Sequence, residues 1–497
     1  MLEHVLPRAM QLDPKGNFVA SPLLREAPSL ENGDLTEDPF TVRFRISDRA
    51  VWEDGSPITA ADFRFTWRAI VSTPNEARPH GYELIRSVDA PDPKTAEIVL
   101  GEPYAGWPDL FGGVFGFVLK SAAFPGLENE PHPNLHRQML DAIPFSGGPF
   151  SLVTWNKRHA VLVRNDYYYG TRAYWDQVTF VPRTDPVREV EALLKGEVDA
   201  IYPSSEVASL LPPALPPGTT WKGGGGTKLE VLWLNQHVRP LNDRMVRQAL
   251  LYAIDREGLA RELGAEVDPN VPDCGLVAVP SLGPWCSTQP FAAYSYDPAH
   301  ARGILESDGY DCSGTPCRKD GHPLQIQYTT NGLSSLRTNA ETFLIEHALP
   351  AGIRLFVKNF EIGGLFGEYG CPRSPRLPIV QCGQEASPDP TVTDLLSCDR
   401  IPTRPNEFTG LNGIGWCNPE ADRLMKESDR ELDPQRHLQL LDRVYELEAE
   451  DAIGLPLFVR PGLGAWRSDK IAGPIGTWIG TPYGLFFNIG DWYPATS

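Results

Sequence analysis

The chain has 497 residues, 45 basic and 64 acidic, which gives a net charge of −19. This acidic balance argues against a nucleic-acid-binding protein, because such proteins need basic patches to neutralise phosphates. Its 41% hydrophobic and 22% charged residues are typical of globular proteins, and at roughly 150 residues per domain we expect two to four lobes.

The N-terminal part predicts a strand, a turn and a helix. Phe40–Ile46 alternates apolar and polar residues, which indicates a half-buried strand. Trp52–Gly55 ends in Asp-Gly and predicts a tight turn. Thr59 and Asp62 have the spacing of a capping box, in which the hydroxyl accepts one backbone N–H and the carboxylate another. A helix is therefore predicted from there to near Pro74.

The middle of the chain predicts a hairpin and a buried strand. Phe150–Trp155 and Ala160–Arg164 form the two arms of the hairpin, and Leu229–Leu234 is apolar nearly throughout, as in a strand covered on both faces. The glycine run Gly223–Gly226 lacks the spacing of a phosphate-binding loop and precedes a strand instead of a helix. It is predicted to be a flexible surface loop.

Helix starts are marked by capping residues in the second half. Either Asn242 or Asp243 is predicted to cap a long helix, and Asp297, Asn418 and Asp433 are each followed by a proline, the pattern of an N-cap before the first helical residue. Strands and helices alternate along the chain, so the fold class is α/β or α+β in several lobes.

The eight cysteines predict disulfide bonds. Taken in order, they form four local pairs that each close a short loop, as in proteins of oxidising compartments. The alternative is a metal site, but zinc sites usually have two knuckles of closely spaced ligands, and only Cys312 and Cys317 are close enough for one. The pairing itself is left open. The cysteines are Cys274, Cys286, Cys312, Cys317, Cys371, Cys382, Cys398 and Cys417.

Neither a membrane span nor an export signal is predicted. The longest apolar stretch, Gly112–Leu119, is far shorter than the ~18 residues that a span needs. Met1–Gly16 lacks the continuous apolar segment of a signal peptide. The protein is therefore either cytosolic or exported by a segment outside the sequence in hand, and the cysteines favour export.

The sequence contains no recognised catalytic motif. Neither the H-E-x-x-H zinc motif nor the G-x-S-x-G nucleophile turn occurs. Acidic pairs such as Glu53 and Asp54 are expected by chance among 64 carboxylates, so they do not indicate a glycosidase. No catalytic residue, metal site or cofactor is predicted.

Six blocks in a fixed order resemble the peptide and nickel class of bacterial extracellular solute-binding proteins. The first, Trp52–Phe63, is similar to the family signature W-x-D-G-x-P-[LIV]-T-A-x-D-[FV]. The resemblance covers nearly the whole chain. The other blocks are Gly148–Trp155 with Leu162–Tyr168, Gly196–Asp199, Leu234–Asn235 with Pro240–Arg256, Tyr296–Arg302 and Asn418–Leu424.

The resemblance implies a bilobal, periplasmic-binding-protein-like fold with a hinge and an extra third subdomain. Lobe I would be discontinuous, built from residues 1–35, 148–250 and 460–497, and the extra subdomain would be 36–147. Lobe II would be 251–459 and would hold all eight cysteines. Family members carry an export signal and a further strand ahead of the segment corresponding to Asn17, so lobe I is expected to be incomplete here.

The resemblance also implies ligand-binding residues. In the family, an acidic residue shortly after the position of Cys382 often binds the amine of a peptide ligand. Glu385 is the nearest match and Asp389 the second, but the usual spacing is not kept and Glu385 fits a solvated loop equally well. Trp233 and Asn235 lie at a strand end that faces the cleft in relatives, with the lobe core as the alternative for Trp233.

Four aromatic residues are further pocket candidates, although scattered aromatic residues more often belong to a core. They are Trp416, Phe115, Phe117 and Tyr369. Trp52, Asp54 and Asp62 are assigned to folding, because they build the turn and the helix cap.

The function implied is capture of peptide-like ligands and delivery to the permease of an ABC importer. The resemblance further implies a monomer without enzymatic activity, located in the periplasm or at the cell surface, where a lipid anchor is an option. Nickel chelates, haem-like ligands, opines and oligosaccharides are alternative ligands, since one fold serves many. A ligand sensor and an enzyme on the same scaffold are the alternatives from other classes.

Overall fold

The computed structural model describes residues 1–497 except 73–80, 136–138, 140–142, 209–214, 280–284, 286, 362–364, 366–375, 386–391, 407, 409 and 496–497. The strands are β1 (Met10–Leu12), β2 (Phe18–Ala20), β3 (Leu35–Glu37), β4 (Phe40–Arg45), β5 (Ile85–Asp92), β6 (Thr95–Leu100), β7 (Phe150–Trp155), β8 (Ala160–Arg164), β9 (Gln177–Phe180), β10 (Ala200–Ile201), β11 (Thr220–Leu234), β12 (Arg318–Lys319), β13 (His322–Pro323), β14 (Gln325–Thr329), β15 (Arg354–Val357), β16 (Ile379–Glu385), β17 (Gly454–Trp466), β18 (Ile471–Ala472) and β19 (Tyr493–Pro494). The helices are α1 (Ala60–Ser72), α2 (Pro186–Leu194), α3 (Arg244–Tyr252), α4 (Arg256–Leu263), α5 (Pro298–Ser307), α6 (Ser335–Ala348), α7 (Thr393–Leu396), α8 (Pro419–Ser428) and α9 (Pro434–Glu450).

The largest sheet among the described residues is mixed and contains the long strands β11 and β17. Its order is β10-β17-β11-β16-β14-β15. β11 is antiparallel to both neighbours, whereas β14 is parallel to β15 and β16. The parallel step from β14 to β15 runs through α6, as parallel strands require a crossover connection. The mixed α/β class expected from the sequence is confirmed.

The buried side chains of the described residues form two large clusters and one small cluster. The central core draws all its buried residues from 229–459. The outer core draws them from 5–173 and 466–492. The small cluster consists of Val190, Leu193, Ile201, Val207, Leu463 and Ala465. The predicted lobe boundaries stay a prediction, but these clusters identify which parts of the chain pack together.

Among the described residues, the outer core contains two antiparallel sheets of three or four strands, besides the two-stranded sheets β1-β2 and β18-β19. The first has the order β3-β4-β6-β5 and packs against α1, and the second has the order β7-β8-β9. Phe63 of α1 contacts Phe44 of β4 at 5.8 Å between ring centroids, whereas Phe65 contacts Phe124 at 5.3 Å, so the helix is buried on two sides. The predicted strand at Phe40 and the predicted hairpin arms, β7 and β8, are confirmed.

The predicted turn and helix start are present, with one change in the cap. Gly55 has φ +80° and its N–H donates to the Trp52 carbonyl at 2.9 Å, a conformation that suits glycine. The Asp62 carboxylate accepts the Thr59 N–H at 3.0 Å. The Thr59 hydroxyl, however, lies 3.5 Å from the same carboxylate instead of capping the helix. Only the acidic arm of the predicted capping box therefore forms.

The later helix starts are capped as predicted. The Asp243 carboxylate, and not Asn242, accepts the N–H of Met245 at the start of α3. Asp297, Asn418 and Asp433 cap α5, α8 and α9, each before a proline. These carboxylates and amides satisfy backbone N–H groups that a helix leaves unpaired at its start.

The glycine run is not a surface loop. Gly223–Gly226 lies inside β11, where Gly223 pairs with Leu463 and Gly224 with Gly462 of β17. A Cβ at Gly226 would overlap the carbonyl oxygen of Arg460. Close approach of the β11 and β17 backbones therefore explains the glycines. The prediction of a flexible loop was wrong, because the strand that pairs with this run, β17, cannot be identified from the local sequence.

Two of the four sequential cysteine pairs are bonded. Disulfides join Cys312 to Cys317 and Cys398 to Cys417. The other two pairs include Cys286 and Cys371, which lie outside the described residues, so those two pairings stay a prediction.

Candidate functional site

The central core and the outer core are joined by a ribbon of two antiparallel strands. Lys228 of β11 is the cross-strand partner of Arg460 of β17. Beyond this pair the register shifts between Gly224 and Lys228. On one side of the shift the strands belong to the central core, and on the other side they adjoin the small cluster and the outer core. The ribbon therefore connects the central core to the small cluster and the outer core.

Glu385 lies at the end of β16, beside this ribbon. It is the cross-strand partner of Lys228, and its exposed carboxylate accepts a hydrogen bond from the Thr227 hydroxyl. Tyr202 is close enough that desolvation of its hydroxyl and the Glu385 charge together raise the pKa of the tyrosine. Since Tyr202 contacts the outer-core residue Phe486 at 6.3 Å between ring centroids, Glu385 stands where the cores meet.

A buried ion network underlies the ribbon. Glu230 of β11 is fully buried and pairs with Arg337 of α6 at 2.9 Å and with Arg460 at 2.8 Å. Burial opposes the charge of Glu230, but the two guanidinium groups outweigh it and lower its pKa. The carboxylate is therefore ionised and neutralised in place, as buried charges require.

Glu206 connects this network to the small cluster. It belongs to a 3₁₀ turn, Ser205–Val207, and its carboxylate accepts hydrogen bonds from Ser334 at 2.6 Å and Ser335 at 3.0 Å. Arg460 lies 3.7 Å from the same carboxylate. Glu206 thus joins the small cluster to the N-terminal end of α6.

Trp233 and Asn235 are both buried at the end of β11. Trp233 is 1% exposed and belongs to the central core. The Asn235 side chain donates to the Leu377 carbonyl at 3.2 Å and accepts the His237 N–H at 2.9 Å. Both side chains have packing or hydrogen-bonding roles here, and their contact with a ligand stays a prediction.

The other predicted site residues are dispersed. Trp416 is buried and donates its indole N–H to Asp451 at 2.9 Å. Phe115 is 69% exposed, and Phe117 is half-buried with the Arg8 guanidinium 4.7 Å from its ring centroid. Asp389 and Tyr369 lie outside the described residues. Their assignment as ligand contacts stays a prediction, and the structure does not bring the described ones together around Glu385.

A cavity of about 220 Å³ lies inside the outer core. Its walls include Arg8, Tyr168, Trp478 and Asp491. All its lining residues come from the N-terminal and C-terminal segments and from residues 147–171. Because it is not between the cores and contains none of the predicted site residues, we do not take it as the ligand cleft.

Neither a metal-binding cluster nor a membrane-spanning helix occurs among the described residues. That part of the chain has no group of three His, Cys, Asp or Glu side chains placed to hold a metal ion. Its helices are all too short or too polar to span a bilayer.

Sequence reasoning missed Glu206, Arg337 and Arg460. Each is a single charged residue without a motif, and their partners are distant in the chain. The only local signal is Glu230, a carboxylate inside an otherwise apolar strand, because such a group requires a buried cation. The identity of that cation depends on the fold.

Residues 22–360 match the family described as bacterial extracellular solute-binding proteins, family 5 middle. Among curated proteins, the oligopeptide-binding protein OppA of Mycobacterium tuberculosis (strain ATCC 25618 / H37Rv) is 27% identical over 487 residues, spanning 94% of this chain and 76% of that protein.

Solved structures share the fold. The oligopeptide-binding protein AppA from Bacillus subtilis, in complex with a nonapeptide, has a TM-score of 0.81 at 20% identity, covering 99% of this chain and 94% of that one. NikZ from Campylobacter jejuni, in complex with Ni(L-His), has a TM-score of 0.81 at 18% identity, with coverage of 99% and 94%. The periplasmic-binding-protein-like fold expected from the sequence is confirmed.

Proposed function

The chain belongs to the bacterial extracellular solute-binding proteins of family 5, and from this we propose that it captures a peptide-like solute and delivers it to the permease of an ABC importer. The observation that carries the proposal is the similarity to OppA over 94% of the chain. The fold shared with AppA, whose structure holds a nonapeptide, supports it. The solute would lie between the central core and the outer core, since concave sites favour such junctions.

The remaining features of the proposal follow from the same premise. The protein would act by binding and release, without catalysis, as a monomer outside the cytoplasm. The disulfides Cys312–Cys317 and Cys398–Cys417 support an oxidising compartment. The predicted lobes, with residues 251–459 as the second, would close about the ribbon of β11 and β17 when solute touches both sides.

Glu385 is proposed to bind the amine of the solute. Its carboxylate is exposed at the junction of the cores, and Thr227 fixes its orientation by a hydrogen bond. A carboxylate held in this way makes a charge-assisted hydrogen bond with an ammonium group. Asp389 is the second candidate for the same role.

The first experiment is native mass spectrometry of freshly purified full-length protein, with released molecules identified after denaturation. Co-purified peptides are the expected result, and they would also give the length range. A sugar, a metal chelate or another solute would overturn the peptide assignment while leaving the transport function in place.

Glu385→Ala is expected to weaken binding of a co-purified peptide by ~1.5–3 kcal/mol, the scale of a hydrogen bond to a charged group. The N-acetylated form of the same peptide should bind wild type and variant equally, because it has no ammonium group. Calorimetric titration measures both. Glu191→Ala removes another exposed carboxylate, paired with Lys195 on α2, and is the matched control. An unchanged affinity for the free-amine peptide would remove Glu385 from the site.

A further inference from the structure

Arg8, in the wall of the outer-core cavity, is a buried cation that forms no ion pair with the described residues. It is 4% exposed. Its Nη1 donates to the Gly113 carbonyl at 2.6 Å, whereas its Nη2 is buried and has no hydrogen-bond acceptor. Glu3, in the same wall, interacts with the Arg8 charge only at longer range. A guanidinium removed from water needs acceptors for its N–H groups and a compensating charge.

The side chains packed around the Arg8 guanidinium are aromatic and uncharged. The ring centroids of Phe117, Tyr483 and Phe487 lie 4.7, 5.0 and 5.7 Å from its central carbon. The Tyr483 hydroxyl also hydrogen-bonds to Arg8, but burial raises the pKa of Tyr483, so this hydroxyl is neutral. Aromatic faces attract a cation without neutralising it. An anion that enters the cavity would supply the missing charge.

Asp491 is a second charged group of the cavity wall without a partner. Its carboxylate takes part in no hydrogen bond or ion pair within the part of the chain that the structure describes. Although Asp491 is exposed, partial desolvation raises the pKa of its carboxyl. Burial and the Asp491 charge together raise the pKa of the neighbouring Tyr168 to about 12, so Tyr168 is neutral as well. An ammonium group makes a charge-assisted hydrogen bond with such a carboxylate.

The two unpaired groups lie at different depths of one cavity. Arg8 is buried and Asp491 is exposed, so the cavity carries a positive charge on its inner side and a negative charge on its outer side. Its volume of about 220 Å³ is below the ~300–1,000 Å³ of sites for drug-sized ligands. The arrangement therefore suits a small molecule with a carboxylate at one end and an ammonium group at the other.

We propose that the outer-core cavity binds a free α-amino acid, with its carboxylate on Arg8 and its ammonium group on Asp491. This site is separate from the junction of the cores, and the inference holds whichever solute is transported. The cavity walls come from the N-terminal segment, residues 147–171 and the C-terminal segment, so the ligand connects three parts of the chain. A ligand that binds only the folded state stabilises it. The amino acid is thus a structural ligand of the outer core.

The test is calorimetric titration of the full chain with each of the common free amino acids. The protein is first unfolded in urea and refolded, and native mass spectrometry verifies that it is empty. The amino acid that binds most tightly is then compared with its N-acetyl derivative, which lacks the ammonium group, and with its methyl ester, which lacks the carboxylate.

Five variants locate the bound amino acid. Arg8→Gln and Asp491→Asn each remove one charge from the cavity. Arg25→Gln and Asp48→Asn are the matched controls, because these two residues form an exposed ion pair with each other at 2.7 Å. Glu385→Ala tests whether the amino acid binds at the junction of the cores instead.

Wild type is expected to bind the amino acid, and both derivatives and both cavity variants should bind at least about tenfold more weakly, the scale of losing a hydrogen bond to a charged group. The controls and Glu385→Ala should match wild type. If circular dichroism shows that Arg8→Gln does not fold, the exposed Asp491→Asn decides alone. The site does not exist if wild type binds no amino acid, if a folded cavity variant keeps the wild-type affinity, or if Glu385→Ala abolishes binding.

Discussion

Asp62 organises the turn, the helix start and a distant loop with one buried carboxylate. It accepts hydrogen bonds from the N–H of Thr59 at 3.0 Å, and from the N–H and hydroxyl of Ser121 at 2.9 and 2.8 Å. The indole N–H of the buried Trp52 approaches it at 3.4 Å. Four donors would lose their acceptor together if this group were removed, so the sequence assignment of Trp52 and Asp62 to folding is supported by geometry.

Asp62→Asn is expected to lower the free energy of unfolding by about 2–3 kcal/mol, because an amide keeps one acceptor oxygen and turns an NH₂ group toward backbone donors. Urea unfolding followed by circular dichroism measures the loss. Asp48→Asn removes an exposed carboxylate that pairs with Arg25 and should change stability by less than about 0.5 kcal/mol. Equal effects of the two variants would contradict the role of Asp62.

Glu448 is a buried acid whose proton stabilises the fold. Burial raises its pKa to about 8, from an ordinary value of 4.5, although one oxygen accepts the Leu276 N–H at 3.0 Å. The folded protein therefore keeps the proton at a pH where the unfolded chain has lost it. The stability that the proton gives is complete below pH 4.5 and is lost as the pH rises from 4.5 to about 8.

Glu448→Gln is expected to stabilise the protein relative to wild type, increasingly between pH 4.5 and about 8. The gain should reach on the order of a few kcal/mol, because the amide keeps the acceptor and carries no charge to bury. Urea midpoints across this pH range measure it, with Glu450→Gln on the exposed side of α9 as the control. A difference that does not vary with pH would mean that Glu448 is not buried as described.

At the scale of single residues, the helix caps were predictable from local spacing, whereas the predicted ligand contacts stay predictions. Asp297, Asn418 and Asp433 act on N–H groups two or three residues away, so their partners are visible in the sequence. The hydrogen-bond donors to Glu206 are about 130 residues away in the chain, so no local pattern distinguishes it from the acidic residues that are exposed to solvent. The prediction of Glu385 rested on resemblance for the same reason.

At the scale of elements, the ribbon of β11 and β17 is unusual because both of its strands contain glycines where their backbones approach other backbone atoms closely. Both strands carry glycines at the register shift, and a Cβ at Gly226 or Gly462 would overlap a carbonyl oxygen of a neighbouring strand or loop. Glycine in a strand normally weakens it, so its presence here indicates backbones that must approach closely.

Gly226→Ala is expected to destabilise the protein by on the order of 2–4 kcal/mol, because the new methyl group would force β11 and β17 apart. Gly303→Ala is the matched control, since the space around that α5 residue is open and alanine favours a helix by about 1 kcal/mol. Thermal unfolding measures the expected loss of stability in Gly226→Ala and the expected gain in Gly303→Ala. A neutral Gly226→Ala would mean that the ribbon can rearrange at no cost.

Helices and strands with a regular apolar pattern and a recognisable end residue were predictable from the sequence. Strands that depend on pairing with a distant part of the chain were not. β4, β7 and β8 follow from alternation, and α9 from its cap and apolar stripe. The glycine run was mistaken because its strand character depends on Leu463 and Gly462, more than 200 residues later. The order of the six-stranded sheet has the same origin, since four of its five neighbouring pairs join strands that are not consecutive in the chain.

For the whole molecule, two electrostatic effects oppose each other. The net charge of −19 produces repulsion across the surface, whereas exposed ion pairs such as those of Arg443 with Glu420 and Glu446 attract locally. Exposed pairs contribute little individually, about 0–1 kcal/mol, while repulsion acts on every excess carboxylate. Repulsion should therefore be the larger effect.

The melting temperature is expected to rise by a few degrees when sodium chloride is increased from low to physiological concentration, because salt screens the repulsion over a distance of about 8 Å. Scanning calorimetry at pH 7 measures the change. An uncharged osmolyte at the same osmolarity controls for effects other than screening. A melting temperature that falls with salt would show that the ion pairs outweigh the repulsion.

The central core is one uninterrupted stretch of chain, 229–459, and it meets the rest of the protein at Lys228 and Arg460, which are paired across the ribbon. A segment that leaves and returns at adjacent points has its own two ends side by side, as free-standing domains often do. The unit is thus topologically an insertion. Its ends could be joined by a short linker and the chain reopened at a surface loop, giving a circular permutant of the central core alone.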